Sequence, residues 1–357
     1  MSLHFFSTSR FVNALLLIAF LSLVGCSIES KPVPKFQETV FTMGTLVEVT
    51  IVGEEEQLAE QAYAAILDDF NYMHNTWHPW QRNALARING LLKTGAPFSL
   101  APSILPLITK SQTLSKQSQG LFNPAIGKLV KLWGFHQDNL DEIFEPPEDS
   151  EIKALLKNLP KMSDIKFNNL TMSGSNENIQ LDFGGFAKGA AVDATIEHLK
   201  EFGIQNAVIN AGGDLRAIGQ HNDRPWRIGI RNPRANGVFA AIDITGDESV
   251  FTSGDYERYF EADGKRYHHI IDPRTGYPAN NTRSVTVIHS DAATADAAAT
   301  ALFIAGPEQW HEIAKAMGIK YVMLVASNGD VHMNPAMSKR IQFTVKQAAI
   351  NISKPLQ

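Results

Sequence analysis

Between residues 205 and 290 the chain is a succession of short apolar-alternating segments with no helical spacing among them. NAVINAGGDLRAIG, WRIGIRNP, FAAIDITG, SVFTSGDYERYF, KRYHHIIDP and RSVTVIHS follow one another, punctuated by Gly, Pro, Asn and Asp. Strands joined by short turns pair antiparallel, because a parallel pair needs a crossover of a dozen or more residues. Helical patterns flank the run: FAKGAAVDATIEHLKEFG, closed by Gly203, and SDAATADAAATALFIAG with a further helix around 307–317. A regular βαβ alternation is therefore excluded. The expected class is α+β, a largely antiparallel sheet with packed helices. FTMGTLVEVTIVG adds a strand with Val47, Val49 and Ile51 on one face, and YVMLVAS and IQFTVK add two more. EEEQLAEQAYAAILDDFNYMHNTW is a helix by its spacing of Leu58, Ala62, Ala65, Ile66 and Phe70 and its acidic first turn. Another helix is expected between Ala101 and Ser118, and loops with a short helix near 136–163. No linker divides residues 38–348, which read as a single unit.

The first 37 residues are different. Arg10 is followed by an apolar stretch from Phe11 to Val24, too short for a membrane span but of the length of a signal core. It stops at Leu23-Val24-Gly25-Cys26, which resembles a bacterial lipoprotein signal, so residues 1–25 are expected to be removed and Cys26, the only cysteine, acylated; an uncleaved anchor helix with a chance cysteine is the other reading. Residues 26–37, with two prolines, read as a tether, and 349–357 as a C-terminal tail. A chain without a second cysteine suits an oxidising periplasm. The net charge of −5, with no basic block, argues against nucleic acid as a partner.

Four stretches carry candidate chemistry. In SDAATADAAATALF, Asp296 and Thr300 are four apart on one helix face and offer two hard oxygen ligands of the kind Mg²⁺ takes, while Asp291 suits the N-cap. By spacing alone, a capped helix with a solvent-facing Asp accounts for the same residues. In LDFGGFAKGAAVD two glycines precede a helix, Lys188 lies just inside it, and Asp182 stands before the turn; helix-start amides and a lysine attract phosphate, although the spacing is not that of a P-loop. In INAGGDLRAIG the Gly-Gly reads as a tight turn, with Asp214 and Arg216 either paired or solvent-facing. In YHHIIDPRTGYPA, His268 and His269 face opposite sides of a strand, so one can face a cleft while the other is exposed, and His269 is a candidate general base, with a structural histidine as the other reading. No zinc spacing is present.

Taken together and in order, FTMGTLVEVTI, TWHPWQRNALARIN, SQGLFNPAIGKLVKLWGF, LDFGGFAKGAAVD, INAGGDLRAIG, SVFTSGDYERYF, HHIIDPRTGYP and ADAAATALFIAG resemble the ApbE-type flavin transferases, the FAD:protein FMN transferases once described as thiamine biosynthesis lipoproteins. The likeness runs from about residue 40 to 305. It implies an ApbE-like or T-fold-like single catalytic unit that uses Mg²⁺ and FAD to attach FMN to a threonine hydroxyl of a target flavoprotein, releasing AMP. The implied acceptors are subunits of membrane redox complexes with a Ser/Thr-Gly-Ala-Ser/Thr-like motif. By similarity the metal ligands fall on Gly185 (through its carbonyl), Asp296 and Thr300. Ala299 stands where some relatives carry a further carboxylate. FAD contacts fall on Met43, Trp77, Leu121, Phe122, Asn123, Asp182, Lys188 and Ile271. Asn123 stands where many relatives have Asp, and the segment Pro79–Asn83 is longer than usual. His269 becomes the expected base, with Asp272 orienting its loop or imidazole, and Asp255 is a second carboxylate able to serve as base. The expected location is the periplasmic side of the inner membrane, lipid-anchored, although Ser27 after the cysteine is an outer-membrane sorting cue. The expected state is a monomer or weak dimer. Two other readings share these residues: a periplasmic FAD pyrophosphatase with water in place of threonine, and a non-enzymatic FAD-binding lipoprotein.

Overall fold

Nine strands form the central sheet of the computed structural model, which describes residues 33–100, 102–137, 145–169 and 171–356. The order across the sheet is Lys35–Thr42, Thr45–Val52, Ala207–Ala211, Asp214–Ile218, Glu248–Gly254, Thr282–His289, Tyr321–Ala326, Val331–Met333 and Ile350–Ile352. Every neighbouring pair is antiparallel except the last. The α+β class with a largely antiparallel sheet is thus the observed one.

Alternation along these strands makes both faces of the sheet apolar. One face, with Val47, Val49, Ile51, Ile209, Phe251, Val285 and Leu324, packs under the helices Glu56–Trp77, Ala187–Glu201 and Ala292–Ala316. The other, with Val208, Leu215, Val250, Ile288 and Val325, is covered by a three-stranded sheet of Trp226–Arg231, Val238–Ile244 and Gln342–Phe343. A third cluster around Trp133 joins the hairpin Tyr259–Ala262/Lys265–His268 to the short helices Gly127–Leu132 and Asp149–Leu156.

The boundaries differ from expectation at both ends. Lys35, Phe36 and Gln37 are not tether: they pair with Val52, Ile51 and Thr50, because Phe36 packs against the core. The segment read as a tail adds the parallel edge strand Ile350–Ile352 and buries Leu356. IQFTVK contributes only Gln342–Phe343 as strand. Cys26 and the signal segment lie outside the described residues.

Two helices cap each other. The Gly189 N–H donates to Asp296 Oδ2 at 3.0 Å, and the Ala292 and Ala293 N–H groups donate to Asp193 Oδ1 and Oδ2 at 2.8 and 2.9 Å. Each helix thereby satisfies orphan amides in the first turn of the other. Asp291 is the N-cap within its own chain segment, accepting from Thr294 N at 2.7 Å. This crossing requires the small residues. A Cβ on Gly189 would stand 2.4 Å from the Ala292 carbonyl oxygen and 2.8 Å from Ala293 Cα, both backbone atoms that cannot swing aside. Gly189→Ala is therefore expected to destabilise the fold by about 3 kcal/mol, despite the better helix propensity of alanine. Urea unfolding measures this, and a stabilised variant would contradict the crossing.

Candidate active site

Asp296 and Thr300 stand on the alanine helix one turn apart, at its contact with the Gly184–Gly185 turn. A Cβ on Gly185 would lie 3.1 Å from Thr300 Oγ1, so the glycine backbone and the hydroxyl are neighbours only because no side chain intervenes. Ser253 Oγ lies 3.3 Å from the same hydroxyl. Asp296 is 5% exposed, and among the described residues only its Oδ2 accepts a hydrogen bond. Desolvation, partly opposed by Lys188, pushes its carboxyl up to about 7. Among the described residues no three His, Cys, Asp or Glu side chains are grouped to hold a metal. A cation here would be held by one carboxylate, a hydroxyl and backbone oxygen. That set fits Mg²⁺, which keeps several waters and needs few protein ligands, and does not fit zinc.

Lys188 projects from the first turn of the Ala187–Glu201 helix to form an ion pair with Asp214. Burial works against its charge, but Asp214, Asp296 and Glu257 together hold the ammonium charged, well above the ordinary lysine value. Glu257 reaches the same group of charges. The surrounding protein raises its carboxyl to about 7, with Lys188 opposing and Asp214 and Asp296 adding to the rise. The helix start is less free for phosphate than its sequence implied, because the Gly189 amide is taken by Asp296 and the Ala187 amide by the Phe183 carbonyl. Lys188 adds a positive charge at this helix start. Arg216 does not pair with Asp214; it binds Asp193, Glu197 and Asp247 at 2.7–2.9 Å.

The two histidines diverge as strand geometry requires, but the second side is buried, not exposed. His268 is 5% exposed and bonds through Nε2 to the Ala279 carbonyl, a structural role. His269 Nδ1 lies 3.2 Å from the Arg258 carbonyl, which assigns the proton to Nδ1 and leaves Nε2 as acceptor. Desolvation first, then His268, Arg258 and Lys188, lower its pKa to about 3, so the ring is neutral at any working pH.

The sequence pattern of the ApbE family matches residues 43–323. The chain belongs to the ApbE family. It is 40% identical over 339 residues to an FAD:protein FMN transferase of Rhodobacter capsulatus, covering 94% of this chain and 64% of that one, so this chain spans slightly under two thirds of that relative's length. It is 31% identical to an FAD:protein FMN transferase of Vibrio cholerae, covering 87% and 93% of the two chains. The crystal structure of the ApbE protein of Thermotoga maritima superposes with a TM-score of 0.76 at 31% identity, covering 84% of this chain and 96% of that one.

Of the residues that ApbE likeness assigned, the structure gathers Gly185, Lys188, Asp296, Thr300 and His269 within one electrostatic neighbourhood, with Asp182 beside the Gly184 amide at 2.8 Å. Desolvation raises the Asp182 carboxyl, against bonds from Gly184 and the Trp80 side chain. Met43 sits at φ +52° in a hairpin turn whose next residues seat on the Gly212–Gly213 turn: Gly212 N donates to Leu46 O at 3.0 Å.

Others stand elsewhere. Trp77 lies in the main core at 9% exposure, and its Nε1 has no hydrogen-bond partner among the described residues. Ile271 packs in the cluster around Trp133, and Phe122 is 3% exposed. Leu121 and Asn123 line a cavity of about 550 Å³ with Lys116, Lys161 and Arg274, and none of Lys188, His269, Asp296 or Thr300 lines it. The Asn123 side chain holds the Pro160 carbonyl at 2.9 Å. Asp272 does not touch the imidazole: both its oxygens bind Arg274, at 2.8–3.2 Å, and it shapes the turn to Gly276. Asp255 is likewise engaged by Arg234 through both oxygens, at 2.7 and 2.5 Å, and is no free base. Four groups escaped the sequence reading: Trp80, Asp214 as the partner of Lys188, Glu257 and the Arg258 carbonyl. TWHPW offered two tryptophans as signal for the first, and the other three carry no local spacing.

Proposed function

We propose that this chain transfers FMN from FAD to a threonine hydroxyl of a target flavoprotein, releasing AMP. The observation that supports the reading is the contact of the Gly185 backbone with the Thr300 hydroxyl, one helical turn from the buried Asp296 carboxyl and in the field of the charged Lys188. Asp296, Thr300 and the Gly185 carbonyl would hold Mg²⁺, which when bound neutralises diphosphate charge. Lys188 adds a second positive charge at the diphosphate. His269 Nε2 takes the proton from the threonine Oγ as that oxygen bonds to the FMN phosphorus, and the bond to the AMP oxygen breaks. Phosphoryl chemistry of this kind needs positioning and charge neutralisation more than covalent help. Asp272 acts at a distance by shaping the 272–277 turn.

The acceptors we propose are flavoprotein subunits of membrane redox complexes with a Ser/Thr-Gly-Ala-Ser/Thr-like motif. Acylation at Cys26 would hold the enzyme at the periplasmic face of the membrane that carries them. No helix among the described residues is long and apolar enough to cross a membrane.

The test mixes detergent-solubilised full chain with FAD, a Thr-Gly-Ala-Thr-containing acceptor domain, and Mg²⁺ or chelator. The expected result is an acceptor mass increase of one FMN phosphoester with equimolar AMP, both dependent on Mg²⁺. AMP without acceptor gain would identify a pyrophosphatase. Bound FAD with no AMP would identify a carrier.

A further inference from the structure

Asp214 is 4% exposed and both its oxygens are engaged. Oδ1 accepts from the Thr252 backbone N–H at 2.7 Å, and Oδ2 accepts from the Lys188 ammonium. Thr252 precedes Ser253, whose hydroxyl stands by that of Thr300. One stretch of the Glu248–Gly254 strand therefore reaches the lysine, through Asp214, and the metal-side hydroxyl directly. The Gly212–Gly213 turn, with φ of +69° and +103°, is what brings Asp214 to the very start of its strand.

We infer that Asp214 is a positioning residue for FMN transfer: anchored by Thr252, it holds the Lys188 ammonium where the FAD diphosphate binds beside Asp296. A lysine stem loses much rotamer freedom when ordered. Here that freedom is lost on folding, so substrate binding does not bear it. An ammonium has three donors. Asp214 takes one, and two remain for phosphate oxygens. The inference rests on the reading of Lys188 as the diphosphate-binding cation.

The competing role is purely structural, with Asp214 serving only to tie Thr252 to its neighbouring strand. Asp214→Asn separates the two, since the amide oxygen still accepts from Thr252 while the charge is gone. The experiment compares four full-length, detergent-solubilised proteins: wild type, Asp214→Asn, Lys188→Met and the double variant. FAD affinity is read by flavin fluorescence with Mg²⁺ present, and AMP release alongside. Each single substitution is expected to weaken FAD binding about 10-fold or more, the scale of one charge-assisted hydrogen bond. The double variant is expected to be no weaker than Lys188→Met alone, within about twofold, because a residue acting through Lys188 has nothing to position once the lysine is gone. Should Asp214→Asn fail to fold, Asp214→Glu keeps the charge on a longer stem, and its loss must likewise vanish in the Lys188→Met background. Wild-type affinity in Asp214→Asn, or a loss that recurs in full without Lys188, overturns the inference. If the wild type binds FAD but yields neither AMP nor acceptor gain, the function fails while the binding comparison still decides Asp214.

Discussion

Asp296→Asn is expected to abolish Mg²⁺-dependent turnover, by about a thousandfold or more, and at the same time to make the metal-free protein more stable above pH 7. The first effect follows from losing the one carboxylate in the proposed metal set, where a divalent cation supplies several kcal/mol of charge stabilisation. The second follows from burial. The Asp296 carboxyl titrates near 3.8 when exposed and is pushed up to about 7 in the fold. Between those values the folded state holds a proton that the unfolded state has released, so stability falls as pH rises through about 4 to 7. Above 7 the buried charge is fully present and uncompensated by metal. Asparagine carries no charge to desolvate and still offers an oxygen to the Gly189 amide, so the helix crossing survives. Thermal melts with and without Mg²⁺ check this. The wild type should gain stability with Mg²⁺, as any ligand of the native state provides, and the variant should not. A variant that keeps both the Mg²⁺ shift and turnover would remove Asp296 from the metal site.

His269→Ala is expected to leave FAD affinity within about threefold and to lower transfer by about 10² to 10⁴, the usual contribution of a positioned base. Its pH profile separates it from Asp296. The imidazole is held neutral down to about pH 3, so no limb near 6.5 should belong to it. The limb near 7 belongs to the buried Asp296 carboxyl, which must be deprotonated before a cation binds. That limb should move to lower pH as Mg²⁺ is raised, in the wild type and in the residual activity of His269→Ala alike. Single-turnover AMP release against pH at two Mg²⁺ concentrations reads both. A limb at 6.5 that disappears with the histidine would show an imidazole titrating in water, free of its contact with the Arg258 carbonyl.

The class of fold and the axis of the site are legible in short windows of the chain. Side-chain alternation is a property of two adjacent residues and helical spacing of four, so the strands between 207 and 289 and the faces of Val47, Val49 and Ile51 are written locally. The same locality makes Asp296 and Thr300 legible as a pair, and Lys188 as a cation just inside a helix after two glycines. Which group answers which is set by packing between distant segments. Asp296 caps a helix 107 residues away, and Asp193 returns the bond across 99. Asp272 and His269 are three apart and look like partners, yet the turn gives Asp272 to Arg274, and the strand pairing gives His269 to a backbone carbonyl eleven residues back. Trp77 and Trp80 are equally plausible ring platforms in the chain, and the helix that ends at Trp77 turns that ring into the core while Trp80 reaches Asp182. Charged and polar groups find partners through sheet register and helix crossing, which no short window of sequence contains. Apolar periodicity is enough to build the layers, and the contacts between layers then assign the chemistry.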